Sequence, residues 1–347
     1  MPELRRGPTR EGWVIIAPER AKRPSDFERA GAPSVSQSPE DCPFCAGNEE
    51  MTPAELYRDV APDGWFVRVV PNKFPTLQAY DDLGRMQSEG LFDRMNGLGT
   101  HEVVIESPDH ETEIQDLPEM QVKRVIDAYV ARLAALQDNE AFRYVLLFRN
   151  HGIEAGASLA HPHSQIVAMP IVPQEVRTAL SIARRYYAEK ERCLFCDVML
   201  AELRVGDRII EEDNGFVVWA PYDSRVPFEL VIYPKRHAHD FTSMDDGQRH
   251  GLARILRRTL KRLTLLLGDV PYNLVLKTTP NPVPRQERPE YWETLPHDYH
   301  WRIAVTPRLT REAGFEWGTG FHINPTPPEA AAEALRGVAP PEGFARA

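Results

Sequence analysis

The sequence predicts an α+β protein in which one structural unit occurs twice, each unit an antiparallel sheet with one main helix. Three observations support this prediction. A Cys-x-x-Cys motif stands near the start of each half, strand-like segments follow it in the same order, and each half has one long amphipathic segment. Features repeated in one order indicate an internal duplication, not a short solenoid repeat. A chain of 347 residues is long enough for two such domains.

The predicted strands of the two halves correspond in pairs. Their residues are either continuously apolar or alternate between apolar and polar, which is typical of strands. The pairs are 66–75 with 216–227, 101–110 with 228–237, 144–148 with 273–277, and 161–170 with 297–307. Chance similarity is the alternative, and the shared order argues against it.

One helix is predicted between the second and third strand of each half, because apolar residues recur there at helical spacing. They are Val122, Val125, Ile126, Tyr129, Val130, Leu133 and Leu136 in the first half, and Leu252, Ile255, Leu256, Leu260 and Leu263 in the second. The segment 172–192 is predicted to form a connecting helix. We therefore predict an N-terminal domain over 1–185 and a C-terminal domain over 186–347.

The composition, 42% hydrophobic and 27% charged, is that of a folded globular protein. A net charge of −10 argues against binding to nucleic acid or a membrane surface. No segment approaches the roughly 18 consecutive apolar residues of a transmembrane helix, and no apolar stretch follows the basic residues of segment 1–13. We therefore expect no secretory signal, no membrane association and a cytoplasmic location.

The four cysteines form two Cys-x-x-Cys motifs, which in a chain without a predicted export signal indicate metal or redox chemistry. A redox motif would need a βαβ setting, which the pattern lacks. Zinc is therefore the predicted occupant of the first site and, with less support, of the second; metal-free thiols are the alternative. The predicted ligands are Cys42, Cys45, His110 and His161 at the first site, and Cys193, Cys196, His237 and either His300 or His297 at the second.

The motif His161-Pro162-His163 holds two imidazoles in a restricted relation, because proline fixes its own backbone dihedral and restricts the residue before it. With His161 held by a metal, His163 is free to act as a nucleophile toward phosphorus. Gln165 lies on the same face of the predicted strand, where its amide could donate a hydrogen bond to a phosphate oxygen. The alternative is that His163 is an ordinary structural histidine.

The segment HPHSQ (161–165), preceded by FRNHGIEAGAS (148–158), resembles the active-site segment of the galactose-1-phosphate uridylyltransferase family, part of the histidine-triad superfamily. The resemblance covers nearly the whole chain. It implies two duplicated histidine-triad-like domains in a half-barrel-like arrangement. It also implies a ping-pong reaction, in which His163 takes the nucleotide from a nucleoside diphosphate sugar, releases sugar 1-phosphate and passes the nucleotide to a second phosphate compound. A homodimer is a further implication.

The resemblance carries roles over to matching positions. It implies nucleotide-phosphate contacts for Arg20 and Arg23 in PERAKRP, nucleoside contacts for Asn72 and Phe74 in PNKFP, phosphate contacts for Asn150 and Ser158, zinc ligation in CPFCAGNE and SPDH, and the covalent nucleophile at His163. The residues themselves agree, since Arg20, Lys22 and Arg23 concentrate positive charge in an acidic protein, as an anionic substrate requires.

Three departures bear on the substrate. Arg302 follows His300 where well-known members have a second close-set histidine, and the second Cys-x-x-Cys instead resembles members with two zinc sites, such as a plant ADP-glucose phosphorylase. Phe321 and His322 replace a Tyr-Glu pair of the sugar-binding tail, and Lys73 replaces an acidic ribose contact. Galactose-1-phosphate uridylyltransferase activity is the leading expectation. The alternatives are ADP-glucose phosphorylase activity, a non-catalytic nucleotide-binding protein and, less favoured, a nucleotide hydrolase.

Overall fold

The structure is a computed structural model that describes residues 1–20, 38–79, 84, 86–88, 91–281 and 292–340. The strands are β1 (Glu3–Arg5), β2 (Val14–Ile16), β3 (Tyr57–Ala61), β4 (Gly64–Pro71), β5 (Met86–Ser88), β6 (Phe92–Arg94), β7 (Thr100–Ile105), β8 (Tyr144–His151), β9 (His163–Met169), β10 (Ile209–Glu212), β11 (Phe216–Trp219), β12 (Leu230–Pro234), β13 (Tyr272–Lys277), β14 (Arg302–Pro307) and β15 (His322–Asn324). The helices are α1 (Glu119–Gln137), α2 (Gln174–Lys190), α3 (Leu194–Val205), α4 (Asp246–Leu267), α5 (Leu295–Asp298), α6 (Gly314–Thr319) and α7 (Pro328–Gly337). The α+β class is confirmed.

Ten strands form one sheet in the order β10-β11-β12-β14-β13-β8-β9-β7-β4-β3, and each neighbouring pair in it is antiparallel. The halves meet where β8 pairs with β13. Each half contributes five strands to this sheet. Numbered along the chain and read outward from the junction, the five strands of each half follow the same order: fourth, fifth, third, second, first. All eight predicted strands are present. The two outermost strands, β3 and β10, were not predicted.

The core lies on one face of this sheet. Helices α1 and α4 pack there against alternate strand residues such as Val104, Ile166 and Ile303. Helix α4 begins at a capping box, in which the Asp245 side chain accepts from the backbone N–H of Gln248 and the Gln248 side chain accepts from that of Asp245. Because side chains alternate across a strand, His163, Gln165 and Arg302 lie on the opposite face.

Helices α2 and α3 cover that opposite face in the C-terminal half. Helix α2 is the connecting helix predicted over 172–192, and its Val176 and Leu180 pack with strand residues Trp219 and Tyr233. Helix α3 was not predicted; it begins just after Cys193 of the second Cys-x-x-Cys motif. Over the N-terminal half the corresponding face carries the loop with the first Cys-x-x-Cys motif. No described helix is long and apolar enough to cross a membrane.

Candidate active site and metal centres

The first Cys/His cluster forms where the loop of Cys42 and Cys45 meets the ends of β7 and β9. The Sγ atom of Cys45 lies 3.1 Å from Nδ1 of His110 and 3.5 Å from Nδ1 of His161. The Sγ atom of Cys42 lies 3.7 Å from the same His161 nitrogen. All four donor atoms lie within 4.8 Å of one another. The four ligands predicted for the first site are therefore together.

The ring orientation of His161 is fixed by the backbone. Its Nε2 lies 2.8 Å from the carbonyl oxygen of Ser107. Because a carbonyl only accepts, Nε2 carries the proton and Nδ1 presents a lone pair to the cysteines. Burial lowers the pKa of His161 to about 4, so the ring is neutral at neutral pH, as a metal ligand must be.

The second cluster repeats this arrangement in the C-terminal half. The Sγ atom of Cys196 lies 3.2 Å from Nδ1 of His237 and 3.2 Å from Nδ1 of His300, and Cys193 completes the group within 4.8 Å. The Nε2–H of His237 donates to the carbonyl of Pro296 at 2.9 Å. His300, not His297, is thus the fourth member. His297 lies outside the cluster, where its ring stacks on Tyr187 at 6.0 Å between centroids.

Both donor sets suit zinc. A tetrahedral zinc ion with bonds of about 2.3 Å to sulfur and 2.05 Å to nitrogen separates those ligands by about 3.6 Å. Five of the eight sulfur–nitrogen distances in the two clusters run from 3.1 to 3.7 Å, and the others are within 4.8 Å. Two thiols with two imidazoles form a common structural zinc set, and each cluster is closed, with no position left for a substrate.

His163 begins β9, directly after the first cluster. Its Nδ1 lies 2.8 Å from the carbonyl oxygen of His161, so Nδ1 carries the proton and Nε2 is the unprotonated nitrogen. Burial lowers the pKa of His163, which keeps the ring neutral, and an edge contact with Phe44 holds its plane. His163 is 6% exposed and borders a cavity of about 110 Å³, lined also by Asn150, His151 and Leu159. A neutral imidazole with a free nitrogen beside a cavity is suited to nucleophilic attack.

Gln165 is oriented by a residue that sequence analysis missed. The backbone N–H of Thr76 donates to Nδ1 of His101 at 3.3 Å, so the proton of this ring is on Nε2. That Nε2–H donates to Oε1 of Gln165 at 2.8 Å. The Gln165 oxygen is thereby occupied, and its NH₂ group is left to donate elsewhere. His101 is 8% exposed, and burial lowers its pKa, so the ring stays neutral in this chain of hydrogen bonds.

A buried charge network lies behind β9 and was also missed. Nε of Arg149 donates to both oxygens of Glu106 at 3.1 Å. Glu106 accepts as well from the hydroxyls of Ser164 at 2.5 Å and Tyr129 at 3.2 Å. Ser164 stands between His163 and Gln165 and points to the other face. The network therefore anchors the strand segment that carries both candidate catalytic side chains.

Asn150 lies beside this segment on β8 and is held from the C-terminal half. Nδ2 of Asn273 donates to Oδ1 of Asn150 at 2.7 Å, and Nδ2 of Asn150 lies 3.5 Å from the carbonyl of Gly156. Asn150 lines the His163 cavity. Ser158 is exposed on the loop after β8. Its neighbours Ala157 and Leu159 line the same cavity.

The predicted nucleoside-binding turn follows β4. Oδ1 of Asn72 accepts from the backbone N–H of Phe74 at 2.8 Å, an Asx turn that projects the Phe74 ring into solvent with 83% of the residue exposed. The backbone N–H of Asn72 donates to the carbonyl oxygen of His101 at 2.7 Å. His101 therefore connects this turn with Gln165.

Arg20 is not joined to the His163 cavity by any contact within the described residues. It is exposed at the end of a short 3-10 turn, Pro18–Arg20, that follows β2. Strand β2 pairs with β1 and β15 in a separate small sheet. Arg23 and Lys22 lie outside the described residues.

Two family models match consecutive parts of the chain. The model for the N-terminal domain of galactose-1-phosphate uridyl transferase matches residues 1–173, and the model for the C-terminal domain matches residues 179–337. An ADP-glucose phosphorylase from Arabidopsis thaliana is 35% identical over 341 residues, which are 97% of this chain and 93% of the relative. A galactose-1-phosphate uridylyltransferase from Thermotoga maritima is 29% identical over 343 residues, 97% of this chain and 98% of the relative.

Solved structures show the same similarity. The crystal structure of an ADP-glucose phosphorylase from Arabidopsis thaliana with bound ADP-glucose has a TM-score of 0.81 and 35% identity, covering 98% of this chain and 99% of that chain. A uridylyltransferase structure has a TM-score of 0.73 and 27% identity, covering 97% of this chain and 98% of that chain.

Proposed function

The chain belongs to the galactose-1-phosphate uridylyltransferase family, and we propose that it transfers a nucleotide from a nucleoside diphosphate hexose to a second phosphate compound through His163. Its relatives are nucleotidyltransferases. One observation carries the proposal: the hydrogen bond of 2.8 Å from Nδ1 of His163 to the His161 carbonyl, which leaves Nε2 unprotonated beside a cavity.

In the first step Nε2 of His163 attacks the α-phosphorus, a P–N bond forms, and the bond to the leaving hexose 1-phosphate breaks. In the second step a phosphate oxygen of the acceptor attacks the same phosphorus, and the P–N bond breaks. The NH₂ group of Gln165, oriented by His101, donates to a non-bridging oxygen as charge develops there. The proton stays on Nδ1 of His163 throughout, donated to the His161 carbonyl, and this hydrogen bond stabilises the charge on the nucleotidyl-imidazole.

Zinc, when bound by the two Cys/His clusters, supplies structural crosslinks. We propose that the first cluster fixes the His161 carbonyl and through it the His163 ring. Asn150 and Ser158 would contact the phosphates, and Asn72 and Phe74 the nucleoside. Arg20 and Arg23 remain proposed phosphate contacts, and a homodimer is one way to bring Arg20 to the site, from the partner chain.

The strand order shared by the two halves supports two duplicated histidine-triad-like domains, divided at 185 and 186, within α2. The half-barrel-like arrangement is proposed on the same ground.

We propose uridylyl transfer between UDP-glucose and galactose 1-phosphate as the leading reaction, because both family models and several relatives carry that activity in their names. The second candidate is ADP-glucose phosphorolysis, with inorganic phosphate as acceptor. It is favoured by the 35% identity to the Arabidopsis thaliana phosphorylase and by the second Cys/His cluster.

Initial rates with the two donor–acceptor pairs distinguish these reactions. UDP-glucose with galactose 1-phosphate should give UDP-galactose if the leading proposal holds, and ADP-glucose with phosphate should give ADP if the second does. Product formation is monitored by anion-exchange chromatography, with His163→Ala as the inactive control. Absence of transfer with both pairs and with their mixed combinations would favour the non-catalytic nucleotide-binding protein.

A further inference from the structure

The C-terminal half places an arginine where the N-terminal half places its nucleophile. Arg302 begins β14 two residues after His300, as His163 begins β9 two residues after His161. Nη1 of Arg302 donates to the His300 carbonyl at 3.3 Å, the counterpart of the hydrogen bond from His163 to His161. Two residues further along, Ala304 stands where β9 has Gln165.

Arg302 forms no ion pair with a carboxylate among the described residues. Its guanidinium carbon lies 4.4 Å from the ring centroid of Phe195, 5.7 Å from that of Tyr299 and 5.9 Å from that of Tyr233. These rings hold the cation by cation–π attraction. A guanidinium has five N–H donors, of which the His300 carbonyl takes one and the Tyr299 hydroxyl another. Donor groups therefore remain for a ligand.

A second cation lies directly opposite. The register of β13 and β14 pairs Lys277 with Arg302, which puts their Cβ atoms about 5 Å apart on the same face. Like charges in this position repel, and burial together with the Arg302 charge lowers the pKa of Lys277. The carboxylate nearest to Lys277, that of Glu175 at 3.4 Å, belongs to a side chain that is 69% exposed. An anion between the two cations would relieve this repulsion.

Both cations line a cavity of about 400 Å³ between the sheet, α2 and the N-terminal segment 7–14, which we call the Arg302 cavity. It shares no lining residue with the cavity beside His163. Its inner carboxylates are paired with arginines, and the exposed Glu11 and Glu175 are at the rim. The pairs are Asp223 with Arg10 at 2.8 Å, Glu229 with Arg10 at 3.4 Å and Arg225 at 3.8 Å, and Glu202 with Arg208 at 2.9 Å.

We propose that the Arg302 cavity binds a small phosphate monoester and holds it without reaction. A guanidinium fork beside an ammonium point charge suits a phosphate group. The aromatic wall of Trp219, Tyr233 and Tyr299 suits an attached sugar or base ring, and the volume is within the range of roughly 300–1,000 Å³ usual for small-molecule sites. Because both His163 and Gln165 lack counterparts here, the ligand is bound and not transferred.

Equilibrium dialysis of the full chain with radiolabelled glucose 1-phosphate tests this site. We expect two molecules bound per chain, one in each cavity. Lys277→Gln should weaken one of the two by about tenfold, the effect of losing one charge-assisted hydrogen bond. Lys277→Arg should retain it, and so should the matched control Lys190→Gln, whose lysine is exposed at the end of α2. If the His163 cavity binds no sugar phosphate, wild type should bind one molecule per chain, and Lys277→Gln should weaken that one by the same factor.

Unlabelled competitors identify the recognised group. Inorganic phosphate or AMP should displace the label from the Arg302 cavity, and glucose should not. The unmodified chain supplies a second readout that needs no variant: glucose 1-phosphate should slow acetylation of Lys277, measured by mass spectrometry. Equal binding by wild type and Lys277→Gln, displacement by glucose, or unchanged acetylation of Lys277 would each overturn the proposal.

Discussion

Each half of the molecule sets two cysteines and two histidines around the start of a strand, yet the residue that follows differs in kind. After His161 the chain presents the neutral imidazole of His163, and after His300 it presents the permanent cation of Arg302. Both side chains donate to the carbonyl of the preceding cluster histidine. We infer that each Cys/His cluster positions the side chain that follows it, and that the chemistry of this side chain decides between the proposed transfer and the proposed binding.

The largest effect is expected from exchanging the two residues. His163→Arg removes the nucleophile and should lower nucleotide transfer by at least about 10⁴-fold. Arg302→His supplies an imidazole without the Gln165 counterpart and should leave the rate of transfer by His163 within a few-fold of wild type. The measurement is the initial rate with both nucleotide sugars.

His250→Arg, at a half-exposed position on α4, is the matched control for the added charge. Transfer that survived His163→Arg within tenfold would remove His163 from the mechanism.

The two clusters should differ in what their loss costs. Cys42→Ser should lower the zinc content by one ion per chain, destabilise the fold and impair transfer, because His161 fixes His163. Cys193→Ser should lower the zinc content and the melting temperature but leave transfer by the folded fraction largely intact. Elemental analysis, thermal unfolding and initial rates give the three readouts. Unchanged zinc content in Cys42→Ser would show that the first site is misassigned.

His101 gives a further test of this comparison, since it orients the Gln165 amide, which has no counterpart in the C-terminal half. His101→Ala frees Gln165 to rotate and should lower kcat about 10- to 100-fold, with a smaller change in KM. His101→Gln can still donate to Oε1 of Gln165 and should recover part of kcat. Steady-state kinetics of both variants, beside Gln165→Ala, test this positioning role. Equal loss in His101→Ala and His101→Gln would argue that the residue acts only through packing.

The smallest effect concerns His151, which lines the His163 cavity. Burial opposes its charge, but hydrogen bonds to Asp269 at 2.6 Å and Glu113 at 3.2 Å outweigh burial and raise its pKa to about 9. A raised pKa in the folded state stabilises fully below the unfolded value of about 6.5 and is lost as the pH rises through 9. Relative to His151→Gln, wild type should therefore lose about 3 kcal/mol of stability between pH 6 and pH 10.

Denaturant unfolding of both proteins at the two pH values gives this difference, and groups common to both cancel. A difference that stayed constant with pH would show that His151 is not charged in the folded chain.

Short sequence motifs predicted the two Cys/His clusters. The Cys-x-x-Cys and His-Pro-His motifs predicted cysteines and histidines that the structure brings together in two clusters, because these residues lie close in sequence or at the ends of adjacent strands. The role of His163 as nucleophile stays a prediction. Sequence analysis left His300 and His297 undecided, since only the turn of α5 shows which ring faces Cys196.

It missed what depends on strand register. His101 and Gln165 are 64 residues apart, and Asn150 and Asn273 are 123 apart. No local pattern in the sequence indicates that these side chains are in contact. The edge strands β3 and β10 were missed for another reason: they are short and half exposed, so their apolar signal is weak.

The central proposal is that His163, in the N-terminal half, is the one residue that becomes covalently nucleotidylated. Its most direct test incubates the protein separately with UDP-glucose and ADP-glucose without acceptor, then maps any adduct by tandem mass spectrometry. The account predicts one nucleotide monophosphate, UMP or AMP, on His163 and none on the peptide that contains His300 and Arg302. An adduct on any other residue, or an unmodified His163 with both donors, would contradict it.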